Sequence, residues 1–388
     1  MPNRTIRRWQ GRFLRFRMEA TGRVLHRLLR PRVAGVDPHV VLETWDAVAD
    51  GWHNSNTDLA FWRGQFYLCH QTSPYHIGSR RSRLLLWRSN DARTWEKVRE
   101  FKNETGREYR DPKFGLIHER LLLYALPNLT VRALPVTTVF TCSDDGEIWA
   151  SMREVDQPGW LFWRPKTLDG ITWFVTAYWR EHGRSMLLRS TDGMSWQPVS
   201  EIHAGDGNDE TDFAFLAGGR IIATARLEGT ADNQWGDPAG CTLLATAAPP
   251  YRQWTCHRSS VTRLDGPCSF TYNGRVYSIG RYQATRARRV AEQGGIYSRK
   301  RTSIFLVEED RLVYLTDLPS AGDTSYAGAV IRGDELYASY YTSPVASDHT
   351  WVLGMFRPTD IKMARISLPA LEHLAMANGA RPRAAATA

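Results

Sequence analysis

The sequence lacks long apolar runs and has few cysteines. No stretch of about 18 consecutive apolar residues occurs, which excludes a membrane-spanning helix. Arginine interrupts every apolar segment between Ile6 and Leu29, so we expect no cleaved secretory signal. The five cysteines form neither a C-x-x-C pair nor a zinc-ligand spacing: Cys69, Cys142, Cys241, Cys256 and Cys268. We therefore predict reduced, mostly buried thiols, no metal, no cofactor and a cytoplasmic protein.

Acidic residues are nearly absent from the start of the chain. The first 32 residues contain ten arginines and one acid, Glu19, and account for the whole formal net charge of +9. Because the rest of the chain is charge-balanced, we expect no specific nucleic-acid partner. Residues 1–36 predict a basic arm, either an amphipathic helix broken or weakened at Gly11 and Gly22 and stopped at Pro31, or a disordered segment.

Both ends of the chain have compositions that differ from the body. The apolar residues among the arginines of the arm predict contact with an anionic membrane surface, so a membrane-peripheral location stays open beside a purely cytoplasmic one. Residues 376–388 are rich in alanine and arginine and predict a disordered tail.

A repeat of about fifty residues organises the body. An apolar strand, a turn and a second strand rich in Val, Ile, Leu, Tyr or Trp recur six times, with turns near Gly64, His118, Gly170, Gly219, Gly274 and Gly333. Repeats of this length and pattern are typical of propellers with one four-stranded blade per repeat. We predict an all-β fold, a six-bladed β-propeller with four-stranded antiparallel blades, from about residue 45 to 370.

A second motif recurs in phase with the first. Three copies of S-x-D-x-x-x-W follow apolar strands, at residues 89–95, 143–149 and 190–196. The aspartate can accept hydrogen bonds from the turn backbone, and the tryptophan can fill the space between strands. These copies resemble, in shortened form, the Asp-box or BNR repeat of sialidases and related six-bladed glycosidases. The resemblance covers roughly residues 45–370, and it implies that the boxes are structural and lie on the face opposite the active site.

Charged and phenolic residues occupy the positions that should converge near the propeller axis. The first strand of each blade begins at one face of the central channel and the second strand returns to it. These points, with the loop after the first hairpin, carry His53, Asp58, His76, Arg110, Asp111, Arg164, Arg226, Glu210, Asp212, Asp265, Arg281, Tyr326 and Tyr341. Arginine, glutamate, histidine and tyrosine in one concave site are typical of a catalytic pocket for an anionic substrate. We predict seven substrate-binding residues: Asp58, Arg110, Arg164, Asp212, Arg226, Arg281 and Tyr341.

The resemblance to sialidases implies roles for individual residues. The segment 208–216, followed by Arg226, is similar to the family segment in which a glutamate opens a strand and an arginine closes the hairpin. Carried over, Glu210 takes a proton from the nucleophilic tyrosine, and Arg226 and Arg281 bind the substrate carboxylate. Residues 324–326 are similar to the tyrosine-bearing segment, which makes Tyr326 the candidate nucleophile. Arg110-Asp111-Pro112 resembles a motif of five-bladed glycosidases in which the aspartate steadies the sugar.

Two family features are missing. The stretch 52–56 has no arginine where sialidases place the first of three, and the loop 70–79 has no acid where they place the catalytic aspartate. Since an imidazole can give or take a proton near pH 7, we expect His53, His70 or His76 to act as the acid/base.

We predict a sialidase-like glycoside hydrolase acting on an acidic or modified sugar. Its catalytic residues are predicted to be Tyr326, Glu210, His76, His53 and Asp111. One alternative is a polysaccharide lyase that cleaves uronic-acid chains with histidine and tyrosine as base and acid, for which His53, His76, Tyr109, Arg110 and Tyr326 are available. A second alternative is a propeller that binds glycans without turning them over.

Overall fold

The chain forms six antiparallel sheets, which are arranged around one axis. The computed structural model of the protein describes residues 4–29, 35–229, 234–287 and 289–379, with the backbone alone for residues 4–12 and 14. The predicted six-bladed β-propeller with four-stranded antiparallel blades is confirmed. Among the described helices, none is long and apolar enough to cross a membrane.

The first three blades follow in chain order, each with its innermost strand first. Blade 1 contains β2 (His53–Trp62), β3 (Gln65–Ser73), β4 (Arg83–Ser89) and β5 (Glu96–Phe101). Blade 2 contains β6 (Glu108–Ile117), β7 (Arg120–Asn128), β8 (Val139–Ser143) and β9 (Arg153–Glu154). Blade 3 contains the split inner strand β10 (Trp160–Phe162) and β11 (Lys166–Thr167), then β12 (Trp173–Trp179), β13 (Arg184–Ser190) and β14 (Gln197–Ala204). Pro165, which has no N–H to give to a ladder, lies in the interruption.

The last three blades complete the ring. Blade 4 contains β15 (Asn208–Phe215), β16 (Ile221–Leu227), β17 (Cys241–Ala247) and β18 (Thr255–Ser259), with a short 3-10 helix, Ala217–Gly219, in its hairpin. Blade 5 contains β19 (Asp265–Tyr272), β20 (Arg275–Gln283), β21 (Lys300–Val307) and β22 (Leu312–Asp317). Blade 6 contains β23 (Thr324–Arg332), β24 (Glu335–Thr342), β25 (Asp360–Ser367) and, outermost, β1 (Val41–Val48). The ring is thus closed by a strand from near the start of the chain.

Five of the six inner strands carry a register shift within their first few residues, so the shifts lie at the same end of the propeller axis. The shifts lie at Ser55/Asp58, Arg110/Lys113, Asn208/Thr211, Asp265/Cys268 and Ser325/Gly328. A bulge bends its strand and re-aims a side chain. Asp111 and Tyr326 sit within two of these bulges with left-handed φ angles of 48° each, a conformation that costs non-glycine residues about 1 kcal/mol or more.

In the described part of the chain, three α-helices lie outside the blades. Helix α1 (Arg4–Leu28) runs through Gly11 and Gly22 without interruption, helix α2 (Trp351–Gly354) follows a 3-10 turn (Val345–Ser347), and helix α3 is Leu368–Ala377. A Cβ at Gly22 would lie 2.7 Å from Val352 Cγ1, so the glycine allows the close approach of α1 to α2 rather than ending the helix. The predicted stop at Pro31 falls outside the described residues, as does most of the predicted tail. Its first two residues, Met376 and Ala377, belong to α3.

The three S-x-D-x-x-x-W segments form turns between the third and fourth strands, at the end of each blade away from the bulges. In the third copy, Asp192 Oδ1 accepts from the Met194 and Ser195 amides, both at 2.8 Å. The Trp196 ring is 1% exposed and packs between blades 2 and 3. The aspartate thus shapes the turn, and the turn delivers the tryptophan to the space between blades.

We expect Asp192→Ala to lower the free energy of unfolding by about 1–2 kcal/mol, because two turn amides lose their acceptor. The measurement is urea denaturation beside Asp144→Ala, which removes only an exposed partner of Arg120 and should stay within about 0.5 kcal/mol of the parent. Equal effects of the two substitutions would contradict this role for the turn.

Candidate active site

Tyr326 and Glu210 meet at the axis, although 116 positions separate them in the sequence. The Tyr326 hydroxyl donates to Glu210 Oε1 at 2.5 Å. Glu210 comes from the start of β15, and Tyr326 from the bulge of β23. Both are buried, at 5% and 7% exposure. The contact joins a phenol to a carboxyl group that can take its proton.

The surroundings of Glu210 keep its proton affinity high. Its second oxygen, Oε2, accepts from the Gly266 amide at 2.7 Å and lies 3.0 Å from Arg226 Nη1. Burial raises the pKa of Glu210 to about 7, and Arg226 offsets only part of that rise. Burial, then Glu210, raises the pKa of Tyr326 far above its usual value. The phenol is therefore neutral near pH 7, next to a carboxyl group that titrates there.

Arg226 is held by carboxylates of the protein itself. Its Nε donates to Asp209 Oδ1 at 2.7 Å, and its Nη2 pairs with the other oxygen of Asp209. Glu228 lies 3.5 Å away and Asp265 3.8 Å away. Burial raises the pKa of Asp209, although Arg226 opposes this.

Arg281 is enclosed more completely. Its guanidinium donates to Tyr341 Oη at 2.8 Å and lies 3.4 Å from Asp323 and 3.5 Å from Asp265. The Tyr326 ring, at 5.0 Å, and the Trp351 ring, at 4.7 Å, also contact it. The side chain is 1% exposed, so aromatic rings and carboxylates fill its surroundings.

Asp323 is the acceptor around which the histidines gather. Its Oδ2 lies 2.7 Å from His76 Nδ1 and 3.2 Å from His53 Nε2. Its Oδ1 accepts from Tyr341 Oη at 2.9 Å and from Trp351 Nε1 at 2.8 Å. Despite burial, which acts the other way, His76 and His53 hold the pKa of Asp323 well below its usual value. The carboxylate thereby fixes the orientation of the His76 ring.

His53 and His76 differ in whether a ring nitrogen is available to a ligand. His53 is fully buried: its Nδ1 lies 2.8 Å from the Arg357 carbonyl oxygen, and its Nε2, although 3.2 Å from Asp323, has no hydrogen-bond partner among the described residues. His76 uses Nδ1 for Asp323, and its side chain is 11% exposed, which leaves Nε2 for a ligand. Burial lowers the pKa of His76, and Asp323 opposes this. His70, the third histidine considered from the sequence, donates to Gln71 O and accepts from Trp87 Nε1, so its ring has no nitrogen left for a substrate.

Arg110 and Asp111, at the bulge of β6, differ in their partners. Arg110 Nη1 donates to Glu108 Oε1 at 2.9 Å and to the His76 carbonyl oxygen at 3.2 Å. Asp111 is 7% exposed, and its Oδ1 has no hydrogen-bond partner among the described residues. Because Asp111 opposes ionisation of both Glu210 and Tyr326, it lies within electrostatic reach of that pair.

Three predicted substrate-binding residues have partners in other blades. Arg164 Nε donates to Asp58 at 2.9 Å, and its two terminal nitrogens donate to the carbonyl oxygens of Pro267 and Ala327. Asp58 also accepts from the Phe114 amide. Asp212 accepts from Lys166 Nζ at 2.8 Å and from the Ser269 amide at 2.7 Å. Arg164, Asp58 and Asp212 therefore have inter-blade partners that substrate binding would have to displace.

Two groups in the described part of the chain have three potential metal-ligand atoms close together: His53, His76 and Asp323, and His182, Asp209 and Glu228. In both, the carboxylates already pair with arginine: Asp323 with Arg281, and Asp209 and Glu228 with Arg226. A cation in either group would face that guanidinium at close range.

Several functional neighbours were not predicted as site residues. Asp209 precedes Glu210, and Asp323 lies just before Tyr326, so both fall in segments that the repeat already marked. Trp351 begins helix α2, in the segment between β24 and β25 and outside the paired strands that the repeat marks. The sequence carries no periodic signal for it.

No protein-family model matches the chain, and no curated protein matches its sequence. Solved structures of similar fold include a mutant Trypanosoma rangeli sialidase displaying trans-sialidase activity (TM-score 0.61), a phage phi92 endosialidase (0.57) and a Penicillium chrysogenum α-L-arabinanase complexed with arabinobiose (0.56), each 12% identical. The matches cover 89%, 84% and 84% of this chain, and 61%, 69% and 99% of those chains. This chain thus spans only 61% of the T. rangeli protein. At such identity the likeness establishes the fold alone.

The raised pKa of Glu210 predicts a distinctive pH dependence of stability. A group whose pKa is about 7 in the folded state against 4.5 ordinarily stabilises the fold when protonated. That contribution is full below about pH 4.5 and is lost as the pH rises through about 7, a change of about 3 kcal/mol. We expect the free energy of unfolding of the parent, relative to Glu210→Gln, to fall between pH 5 and pH 8, roughly that window. Parallel pH profiles of the two proteins in denaturant titrations would contradict the burial argument.

Proposed function

We propose that the protein is a glycoside hydrolase in which Tyr326 is the nucleophile and Glu210 is its base. The observation that carries the proposal is the 2.5 Å hydrogen bond between the two side chains, at the axial face of a fold that sialidases and an arabinanase share. A phenol activated by a neighbouring carboxylate is a nucleophile that stays neutral until it reacts. This suits a cleft that also contains Asp209, Asp265 and Asp111.

In the first half-reaction, the Tyr326 oxygen bonds to the anomeric carbon and its proton passes to Glu210. The glycosidic bond breaks, and the leaving oxygen keeps the electron pair and takes a proton from the imidazolium form of His76, which is the minor form near pH 7 because burial lowers the pKa of this ring. In the second half-reaction, water attacks the anomeric carbon and gives its proton to His76. The bond to Tyr326 then breaks, and Glu210 returns the proton to the phenol, so the sum is addition of water across the glycosidic bond.

His76 is our candidate acid/base because of its geometry. Asp323 holds Nδ1 at 2.7 Å, and a carboxylate in that position stabilises the imidazolium while it exists. Nε2 is the nitrogen left to exchange a proton with the substrate. Asp323 is thus a positioning residue, and His53, fully buried 3.2 Å from it, packs beside it rather than facing a ligand.

The acidic substrate remains a prediction. The presence of Arg110, Arg226 and Arg281 around one cleft supports it. Each of the three arginines, however, pairs with a carboxylate of the protein. The lyase and the non-catalytic binding module also remain alternatives. A lyase would release an unsaturated product that absorbs in the ultraviolet, and a binding module would show affinity without turnover.

We expect Tyr326→Phe to lose at least about a hundredfold in kcat while binding of the substrate stays measurable, because only the reacting oxygen is removed. The assay is a panel of neutral and acidic aryl glycosides with product identification. Tyr340→Phe is the matched control, since Tyr340 is a buried tyrosine whose hydroxyl donates to Pro319 O. Full activity in Tyr326→Phe together with loss in His76→Ala would exclude the tyrosine nucleophile and favour a histidine-based mechanism.

We also propose that helix α1 rests on an anionic membrane surface. One face of the helix contacts the α2 loop through Met18, Gly22 and Leu25. The opposite face presents Phe13, Phe16, Val24 and Leu28, which are 59–69% exposed, beside exposed arginines. Large apolar side chains flanked by arginine on one helix face are suited to the headgroup region of anionic lipid.

We expect the full chain to sediment with vesicles containing phosphatidylserine and to remain in solution with phosphatidylcholine vesicles. Phe13→Glu with Phe16→Glu should reduce the bound fraction at least about tenfold, since each change removes an insertion and adds repulsion. Val131→Glu with Leu134→Glu, a pair of exposed apolar residues in the loop after β7, is the control. Equal binding of both doubly substituted proteins would disprove the role of α1.

A further inference from the structure

Each arginine of the cleft already has an internal anion. Arg226 has Asp209 and Glu210, Arg281 has Asp323, and Arg110 has Glu108, all at 3.4 Å or less. These groups are buried, with the arginine side chains at most 10% exposed. Drawing one partner of a buried pair away is strongly unfavourable, because it leaves the other charge buried and uncompensated. A substrate carboxylate would have to displace one of these partners or enter beside it.

Asp323 stands where the sialidase resemblance leads one to expect the substrate's own carboxylate. It pairs with Arg281, which the resemblance implies to be a carboxylate-binding arginine, and accepts from Tyr341 and Trp351. The Trp351 ring also contacts the Arg281 guanidinium, at 4.7 Å. A second carboxylate at this point would meet the first at close range.

The polar atoms left free in the cleft are suited to hydroxyl groups. Asp111 Oδ1 is buried without a donor among the described residues, and a carboxylate in that condition gains most from a hydroxyl that donates to it. Two nearby lysines do not add positive charge that is available to a substrate carboxylate. Lys113 donates to Pro112 O and Lys300 to Gln283, and burial lowers the pKa of both.

We infer that the cleft takes a neutral, polyhydroxylated sugar, with Asp111 accepting from a sugar hydroxyl and Asp323 replacing the carboxylate that an acidic sugar would bring. The inference rests on the proposed function for the location of the site. It departs from the acidic substrate predicted from the sequence, because the arginines that suggested an anion are internally neutralised.

The test is a set of binding measurements by calorimetry on the full chain, with sugars that differ by one carboxylate. Galactose is compared with galacturonic acid, glucose with glucuronic acid, and arabinose and N-acetylneuraminic acid complete the panel. We expect at least one neutral sugar to bind, and to bind at least about tenfold more tightly than its acidic counterpart. Tighter binding of an acid, or no binding of any neutral sugar, overturns the inference.

Asp323→Asn tests the internal carboxylate directly. The change should leave Arg281 without its main anion and raise the affinity for the acidic sugars at least about tenfold. Asp209→Asn, which releases Arg226 in the same way, serves if Asp323→Asn does not fold, and Asp169→Asn, in an exposed turn, is the control. Unchanged acid affinity in a folded cleft variant contradicts the assignment.

The outcomes separate this inference from the proposed hydrolase. Neutral-sugar binding without any turnover across the glycoside panel would end the hydrolase proposal and leave the substrate class standing. Turnover of acidic glycosides alone would support the hydrolase proposal and overturn the neutral substrate class.

Discussion

The arrangement of the blades depends on a network of buried charges along the axis. Arg164 in blade 3 donates to Asp58 in blade 1 and to main-chain oxygens in blades 5 and 6, while Asp212 joins blades 3, 4 and 5. Aspartates and a guanidinium buried here are tolerable only because each is satisfied by several partners. The network fixes the distances among the inner strands, and with them the positions of the bulges from which Asp111 and Tyr326 project.

Above this network, the cleft is organised by charge pairing rather than by open positive potential. Arginines and carboxylates alternate around Tyr326, and Asp323 gathers His76, His53, Tyr341 and Trp351 into one cluster. Such a cleft is preorganised, since its dipoles are fixed before any ligand arrives. Asp111 Oδ1 and His76 Nε2 are the cleft atoms to which we assign contact with the substrate, because neither has a hydrogen-bond partner among the described residues.

The blade number and the hairpins were predictable because an apolar strand, a turn and a second apolar strand recur about every fifty residues. The pairing of Glu210 with Tyr326 could be expected only through the sialidase resemblance, since nothing local relates residues 116 positions apart. Other features were out of reach. In the sequence, Arg164 stands at the same position of its repeat as the other predicted site residues. That its guanidinium donates to Asp58, Pro267 and Ala327 follows only from the three-dimensional structure. The role of Gly22 in the close approach of α1 to Val352 is a tertiary effect that helix propensity does not describe.

The central claim is that Tyr326 forms the covalent link to the sugar. Its most direct test is labelling of the enzyme with the 2-deoxy-2-fluoro glycosyl fluoride of a sugar that the protein hydrolyses, followed by peptide mass spectrometry. The account predicts one equivalent of glycosyl adduct on the peptide containing Tyr326, and none in Tyr326→Phe. An adduct on Glu210, Asp111 or any other carboxylate, with Tyr326 unmodified, would contradict it.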